Sequence, residues 1–188
     1  KVLSAFRKVA RHEFVPEEHW NAAYVDYPLP IGDGQTISQP YMVALMTEFL
    51  NLKENSKVLE VGAGSGYQAA ILAEIAGEIY SIERIEALAK KSAATLKRLG
   101  YQNVHVVVGD GSLGYKEKSP YDEIIVTCAA PSIPDTYIDQ LKVGGRLVIP
   151  VGARFSQVLT AVERKEKGVL AQEICGCVFV PLVGEKGW

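Results

Sequence analysis

A single α/β domain built on a mostly parallel sheet is the fold this sequence predicts, and three observations carry the prediction. From residue 57 onward, short apolar runs alternate with helix-forming stretches, the pattern of strands joined by helical crossovers. One junction, residues 58–66, reads Val-Leu-Glu-Val-Gly-Ala-Gly-Ser-Gly, a strand that runs through a glycine turn into a helix. From Gln157 the alternation stops, and two strand-like segments face each other across a polar turn. The 188 residues suit one domain, 1–188, within which residues 1–56 form an N-terminal helical layer.

In chain order, His12-Glu13-Phe14-Val15-Pro16 breaks a first helix, and a Pro/Gly-rich irregular stretch spans Pro28 to Gly34. A helix is expected from Pro40, a good first helical position, to Leu50. Apolar runs at 57–61, 78–82, 104–108, 122–128 and 146–151 read as buried parallel strands. Helices at about 66–76, 85–99 and 134–141 lie between them. The second is marked by Ile85, Leu88, Ala89, Leu96 and Leu99 on one face. Glu86 in its first turn, Lys97 and Arg98 in its last, and Gly100 beyond follow the dipole and C-cap preferences. The terminal hairpin pairs 157–164 with 171–181, and the charge run Glu163–Lys167 forms its solvated tip.

Composition excludes several function classes. A net charge of −2, with 48% hydrophobic and 22% charged residues, provides no basic field for a nucleic-acid partner. No apolar run approaches the ~18 residues of a membrane span, nothing resembles a signal peptide, and the cytoplasm is the expected compartment. Cys128, Cys175 and Cys177 are an odd set that suits buried thiols better than a disulfide framework. Without a second Cys/His pair at ligand spacing, no metal site is expected.

The glycine turn carries the chemistry. Gly62, Gly64 and Gly66 let backbone N–H groups approach a ligand with no Cβ in the way. A dinucleotide fingerprint wants a third small residue where Tyr67 stands, and Glu60 would repel a pyrophosphate. An acid beside the loop suits a cationic ligand instead. S-adenosylmethionine, with its sulfonium and ammonium groups, fits; NAD fits worse. Five parallel strands closed by a hairpin, seven in all, is the layout of a Rossmann-like class I methyltransferase sheet.

Further segments carry a family likeness: His12 to Pro16, and Leu29-Pro30-Ile31-Gly32-Asp33-Gly34-Gln35-Thr36-Ile37-Ser38-Gln39-Pro40-Tyr41-Met42. Val58 to Gln68, Tyr80 to Arg84, Val108 to Gly111, Gly144 to Gly152 and Phe179 to Leu182 complete the set. With these, in order and over essentially the whole chain, the sequence resembles the protein-L-isoaspartate O-methyltransferases, particularly the bacterial and archaeal ones. Ala63, Cys128 and Val183 depart from the family's usual Thr or Ser, Ala, and Thr. The sequence starts without Met inside the family's first helical region, so a short preceding segment is expected.

The resemblance implies methyl transfer from S-adenosylmethionine to the free carboxylate of isoaspartyl residues in damaged proteins and peptides, initiating repair to aspartate and releasing S-adenosylhomocysteine. Glu60 is expected against the methionine end of the cofactor, with Gly62 and Gly64 in the loop. Glu83, about 20 residues past the loop, is expected to accept from both ribose hydroxyls. An acid in a helix's first turn would also stand there for the dipole alone. Asp110 is expected to accept from the adenine amino group, with Gly111 leaving room for the ring, although Asp-Gly is also a common turn. Ser38 is assigned the catalytic position, with Ile37, Gln39 and Pro40 lining cofactor and substrate. A Ser before Pro and a helix is also a standard cap, and Ser38 reads as cap and carboxylate ligand together.

A carboxylic acid is already ionised at neutral pH, so this chemistry needs no general base. His12, His19 and His105 form no evident triad. Three other readings compete: transfer to RNA or a small metabolite, a cofactor-binding module without turnover, and an NAD-dependent oxidoreductase. The expected particle is a monomer that acts on isoaspartyl-containing peptides and proteins.

Overall fold

The computed structural model describes all residues, 1–188. Nine strands are named: β1 (Leu29–Gly32), β2 (Gln35–Ile37), β3 (Lys57–Val61), β4 (Glu78–Glu83), β5 (Val104–Val108), β6 (Tyr121–Val126), β7 (Leu141–Ala153), β8 (Ser156–Arg164) and β9 (Val169–Cys177). Five helices join them: α1 (Val2–Lys8), α2 (Pro40–Leu50), α3 (Tyr67–Ala73), α4 (Glu86–Arg98) and α5 (Asp135–Gln140).

The main sheet has seven strands in the order β5-β4-β3-β6-β7-β8-β9. The first five run parallel, and β8 and β9 are antiparallel, as the pattern of apolar runs predicts. The chain leaves β3 toward β4 and β5, then returns to β6 on β3's other side. The carboxyl ends of β3 and β6 therefore flank the topological switch point, where open α/β sheets bind ligands.

The central strands β3, β4 and β6 are buried on both faces, which explains their apolar runs. One face packs Val58, Ile79, Ile125 and Val148 beneath α1, α2, α3 and α4. The other packs Leu59, Ile82, Ile124 and Leu147 beneath Tyr137 of α5 and Leu182 of the C-terminal tail.

Three boundaries differ from expectation. The stretch from Pro28 to Gly34 is not wholly irregular, because β1 and β2 pair across a turn in which Asp33 and Gly34 have positive φ. Strand β7 spans 13 residues because it pairs with β6 along its start and with β8 along its end. Strand β9 stops at Cys177, four residues early, and the chain turns inward so that Pro181 bridges Ala129 beyond β6. That inward turn brings the tail to the site.

Candidate active site

A cavity of about 680 Å³ opens at the switch point. Its walls come from Gly62 and Gly64 after β3, Glu83 at the end of β4, Gly111 after β5, and Thr127 after β6. Val180 to Val183 and Thr36 close the remaining side. A second, more open cleft of about 1460 Å³ adjoins it, with Ser38, Gln39, Tyr41, Arg154 and Phe155 on its rim. Thr36, Thr127, Val180 and Pro181 belong to both spaces and so mark where they meet.

The glycine loop differs in detail from the expected N–H cradle. Gly62 N–H donates to Ile82 O at 2.9 Å, Gly66 N–H to Ala63 O at 2.8 Å, and Gly64 N–H to Glu83 Oε2 at 3.0 Å. The three glycine donors are engaged within the protein, so the loop offers no ready nest for a pyrophosphate. The glycines instead permit the tight path: Gly62 has φ +98°, and a Cβ there would lie 2.5 Å from Thr127 Oγ1.

Glu83 stands at the end of β4. It is buried at the cavity wall, and its carboxylate accepts from Gly64 N–H and, at 2.9 Å, from Ile85 N–H. Each oxygen thus has one protein donor and keeps acceptor capacity on the cavity side. Gly111 also lines the cavity, and a Cβ there would meet Val61 Cγ1 at 2.6 Å.

Glu60 requires a correction. Side chains alternate along a strand, so with Val61 facing the cavity, Glu60 points to the opposite face. It is fully buried there, Oε2 accepts from the Ser81 hydroxyl, and Oε1 has no partner. Burial pushes its carboxyl up to about 8, against the Ser81 hydrogen bond and with a small contribution from Glu83. Burial in this position favours the neutral form of the carboxyl.

Asp110 also differs. Its carboxylate caps a short turn and anchors the tail: Oδ1 accepts from Ser112 N–H (2.9 Å) and Oγ (2.7 Å), and Oδ2 from Glu185 N–H (2.9 Å). Desolvation would raise its pKa, but these bonds outweigh it and hold the carboxyl below the usual range. Asp110 is not among the residues that form the cavity wall; Gly111 is.

The Ser38 segment is partly as expected. Ser38 borders the open cleft and also a small recess shared with Gly62 and Gly64. Gln39 borders the cleft, Ile37 is buried in the core, and Pro40 takes the first position of α2. The cap assigned to Ser38 is not formed. Gln39 is the N-cap with no side-chain cap bond, and Tyr41 N–H is held by Asp26 Oδ1 at 2.8 Å. A carboxylate from the N-terminal layer takes one of the α2 donors expected to be free.

Sequence reasoning missed Thr127 and Arg11. Thr127 N–H donates to Val61 O at 2.9 Å, and its hydroxyl lies 2.7 Å from Gly62 O, tying β6 to the glycine loop. Its place just past a strand's carboxyl end, at the switch point, is the signal that could have found it. Among the remaining residues, His105 is half-exposed and stacks on Tyr80 with ring centroids 5.0 Å apart. Cys128 is buried, whereas Cys175 and Cys177 are only half-buried along β9.

A doubly wound sheet closed by an antiparallel hairpin, an acid at the end of its second parallel strand and a glycine loop with its donors engaged define a class I methyltransferase. The profile of the protein-L-isoaspartate(D-aspartate) O-methyltransferase family matches residues 1–187. The protein-L-isoaspartate O-methyltransferase of Geobacter metallireducens is 55% identical over the whole chain and 88% of its own length. Protein-L-isoaspartate O-methyltransferase 2 of Archaeoglobus fulgidus is 57% identical over the whole chain and 87% of its length. A solved protein-L-isoaspartate O-methyltransferase superposes with a TM-score of 0.91 at 31% identity, covering 99% of this chain and 62% of that one. A Plasmodium falciparum structure assigned to the same family, in complex with S-adenosyl-L-homocysteine, gives 0.84 at 27% identity, covering 97% and 89%. The chain belongs to the protein-L-isoaspartate O-methyltransferase family. It is an S-adenosylmethionine-dependent enzyme that methylates the carboxylate of isoaspartyl residues.

Proposed function

We propose how this chain's residues divide that reaction. The observation that carries the reading is the shared wall of Thr36, Thr127, Val180 and Pro181, where the cavity at the switch point and the larger cleft meet. The cavity at the switch point suits the cofactor, and the larger cleft suits an extended peptide. When bound, S-adenosylmethionine would supply an electrophilic methyl group, transferred to a carboxylate oxygen with its bond to sulfur broken and S-adenosylhomocysteine leaving as the neutral thioether.

Glu83 holds the ribose hydroxyls with the acceptor capacity left on its two oxygens. Gly62 and Gly64 keep the wall open, and Gly111 leaves room for the adenine ring. Asp110 Oδ2, with a single protein donor, retains a lone pair for the adenine amino group. Glu60 supports the loop from below rather than touching the cofactor.

On the substrate side, Ser38 and Thr36 offer hydroxyl donors to the isoaspartyl carboxylate, and Gln39 lines its approach. That carboxylate is ionised at neutral pH, so the residues align it and exclude water, and no side chain needs to take a proton. We place the enzyme in the cytoplasm as a monomer without nucleic-acid partners. No helix is long and apolar enough to cross a membrane, and the net charge is −2.

The test is methyl incorporation from labelled S-adenosylmethionine into an isoaspartyl peptide beside its aspartyl twin. Strong labelling of the first and none of the second is expected. Equal labelling, or none, would refute the substrate assignment.

A further inference from the structure

Arg11 is the largest fully buried side chain in the molecule, and only 1% of it is exposed. It follows α1 in a short turn, Arg11–Phe14. A buried cation is costly unless its donors are met, so a position needing only volume would favour an apolar residue. Two of its nitrogens are met by backbone carbonyls, while Nη1 is buried without a hydrogen-bond partner. Nε donates to Ala23 O and Nη2 to Ser38 O, each at 2.7 Å. The guanidinium carbon lies 4.8 Å from the centre of the Tyr67 ring, and Tyr67 opens α3 directly after the glycine loop.

Two parts of the active site and the N-terminal layer thus converge on one planar group. Ser38 stands on the substrate side, Tyr67 fixes the helix that leaves the cofactor loop, and Ala23 belongs to the N-terminal layer. Asp26, whose carboxylate acts on Arg11 electrostatically, holds the first turn of α2 through Tyr41 N–H. No cap bond from Ser38 or Gln39 fixes the start of that helix. The tie from Arg11 to Ser38 O therefore restrains the residue whose hydroxyl is assigned to the substrate.

We infer that Arg11 is a positioning residue for methyl transfer: it sets the Ser38 backbone relative to the glycine loop, and so sets the alignment of the isoaspartyl carboxylate with the bound donor. This rests on the role given to Ser38 under Proposed function. Arg11 acts through Ser38 and Tyr67 and borders neither cavity. Its loss acts on alignment, where a displacement of about 1 Å lowers a rate by about a hundredfold, more than on cofactor affinity. Lysine keeps the charge but cannot span two carbonyls and a ring with one planar fork.

The experiment compares wild type, Arg11→Met, Arg11→Lys and Ser38→Ala, each well below its own melting temperature. It measures kcat and KM for an isoaspartyl peptide at saturating S-adenosylmethionine, and the S-adenosylhomocysteine Kd by calorimetry. Arg11→Met is expected to lower kcat about tenfold or more, with KM and the Kd within about twofold, and Arg11→Lys to recover part of the loss. A kcat within about twofold of wild type in Arg11→Met, while Ser38→Ala is impaired, would overturn the inference and leave the Ser38 role standing. Loss of kcat in step with cofactor affinity would overturn it as well, because that reports general damage. An unimpaired Ser38→Ala would remove the Ser38 role, and this inference with it. Should Arg11→Met not fold, Arg11→Lys decides: about a threefold or greater loss of kcat at unchanged Kd supports positioning, and wild-type kcat refutes it.

Discussion

Replacing Glu83 tests the cofactor side of the site most sharply, because its carboxylate serves protein and ligand at once. Oε2 holds Gly64 N–H at 3.0 Å and Oε1 holds Ile85 N–H at 2.9 Å. In Glu83→Gln, one of these N–H groups must face an amide N–H, and a buried donor left unmet costs about 1–3 kcal/mol of stability. On the cavity side the change removes the charge and one acceptor. Losing one hydrogen bond to a charged group weakens binding by about 1.5–3 kcal/mol, or roughly 10- to 150-fold in Kd. Glu83→Ala removes both acceptors and should bind more weakly still. Calorimetry with S-adenosylhomocysteine gives the Kd, and urea unfolding gives the stability. If Glu83→Ala kept its Kd within about threefold of wild type, the cofactor's ribose would not lie against this residue.

Other consequences are equally open to measurement. Gly62→Ala would place a Cβ 2.5 Å from Thr127 Oγ1 at φ +98°, so urea unfolding should show a loss of about 2 kcal/mol or more, with cofactor binding abolished. Gly176→Ala, where a Cβ meets nothing within 4 Å, should stay within about 0.5 kcal/mol of wild type. Glu60, held at about 8 by burial, favours its protonated form when folded. Its contribution to stability is therefore full below the ordinary carboxyl range and is lost as pH rises from about 4.5 to about 8, on the order of 3–5 kcal/mol. Glu60→Gln should flatten that slope in unfolding experiments across this window, and an unchanged slope would contradict the assignment. Thr127→Val removes the hydroxyl that bonds Gly62 O at 2.7 Å, so kcat should fall about tenfold with the fold retained, as read by steady-state kinetics and circular dichroism.

The central parallel strands were legible because they are buried on both faces and so read as apolar runs, as Ile124, Ile125 and Val126 do. The glycine turn was legible because Gly62, Gly64 and Gly66 all need positive φ. Strand β1 escaped because Pro30 and Gly32 disguise a four-residue strand whose pairing depends on the turn at Asp33. The inward turn after Cys177 escaped because it is set by a tertiary bridge from Ala129 to Pro181, not by local pattern.

At the site, Glu83 and Gly111 line the cavity and Ser38 borders the adjoining cleft, while the cap read for Ser38 is not formed. Glu60 does not line the cavity, because the alternation of β3 sends it to the face away from Val61. For Asp110 the turn reading also holds, through Ser112 two residues on, but nothing local announces that Glu185, 75 residues away, takes its other oxygen. Arg11 was not singled out from the sequence, since nothing local reveals that the carbonyls of Ala23 and Ser38 await it.

The most direct test is a crystal structure with S-adenosylhomocysteine and an isoaspartyl peptide bound together. The sulfur should lie at the junction of Thr36, Ser38 and Thr127, about 5 Å from a carboxylate oxygen of the peptide, a separation that leaves room for the transferred methyl. A sulfur directed away from this junction, or a peptide bound outside the cleft of Ser38 and Gln39, would contradict the account.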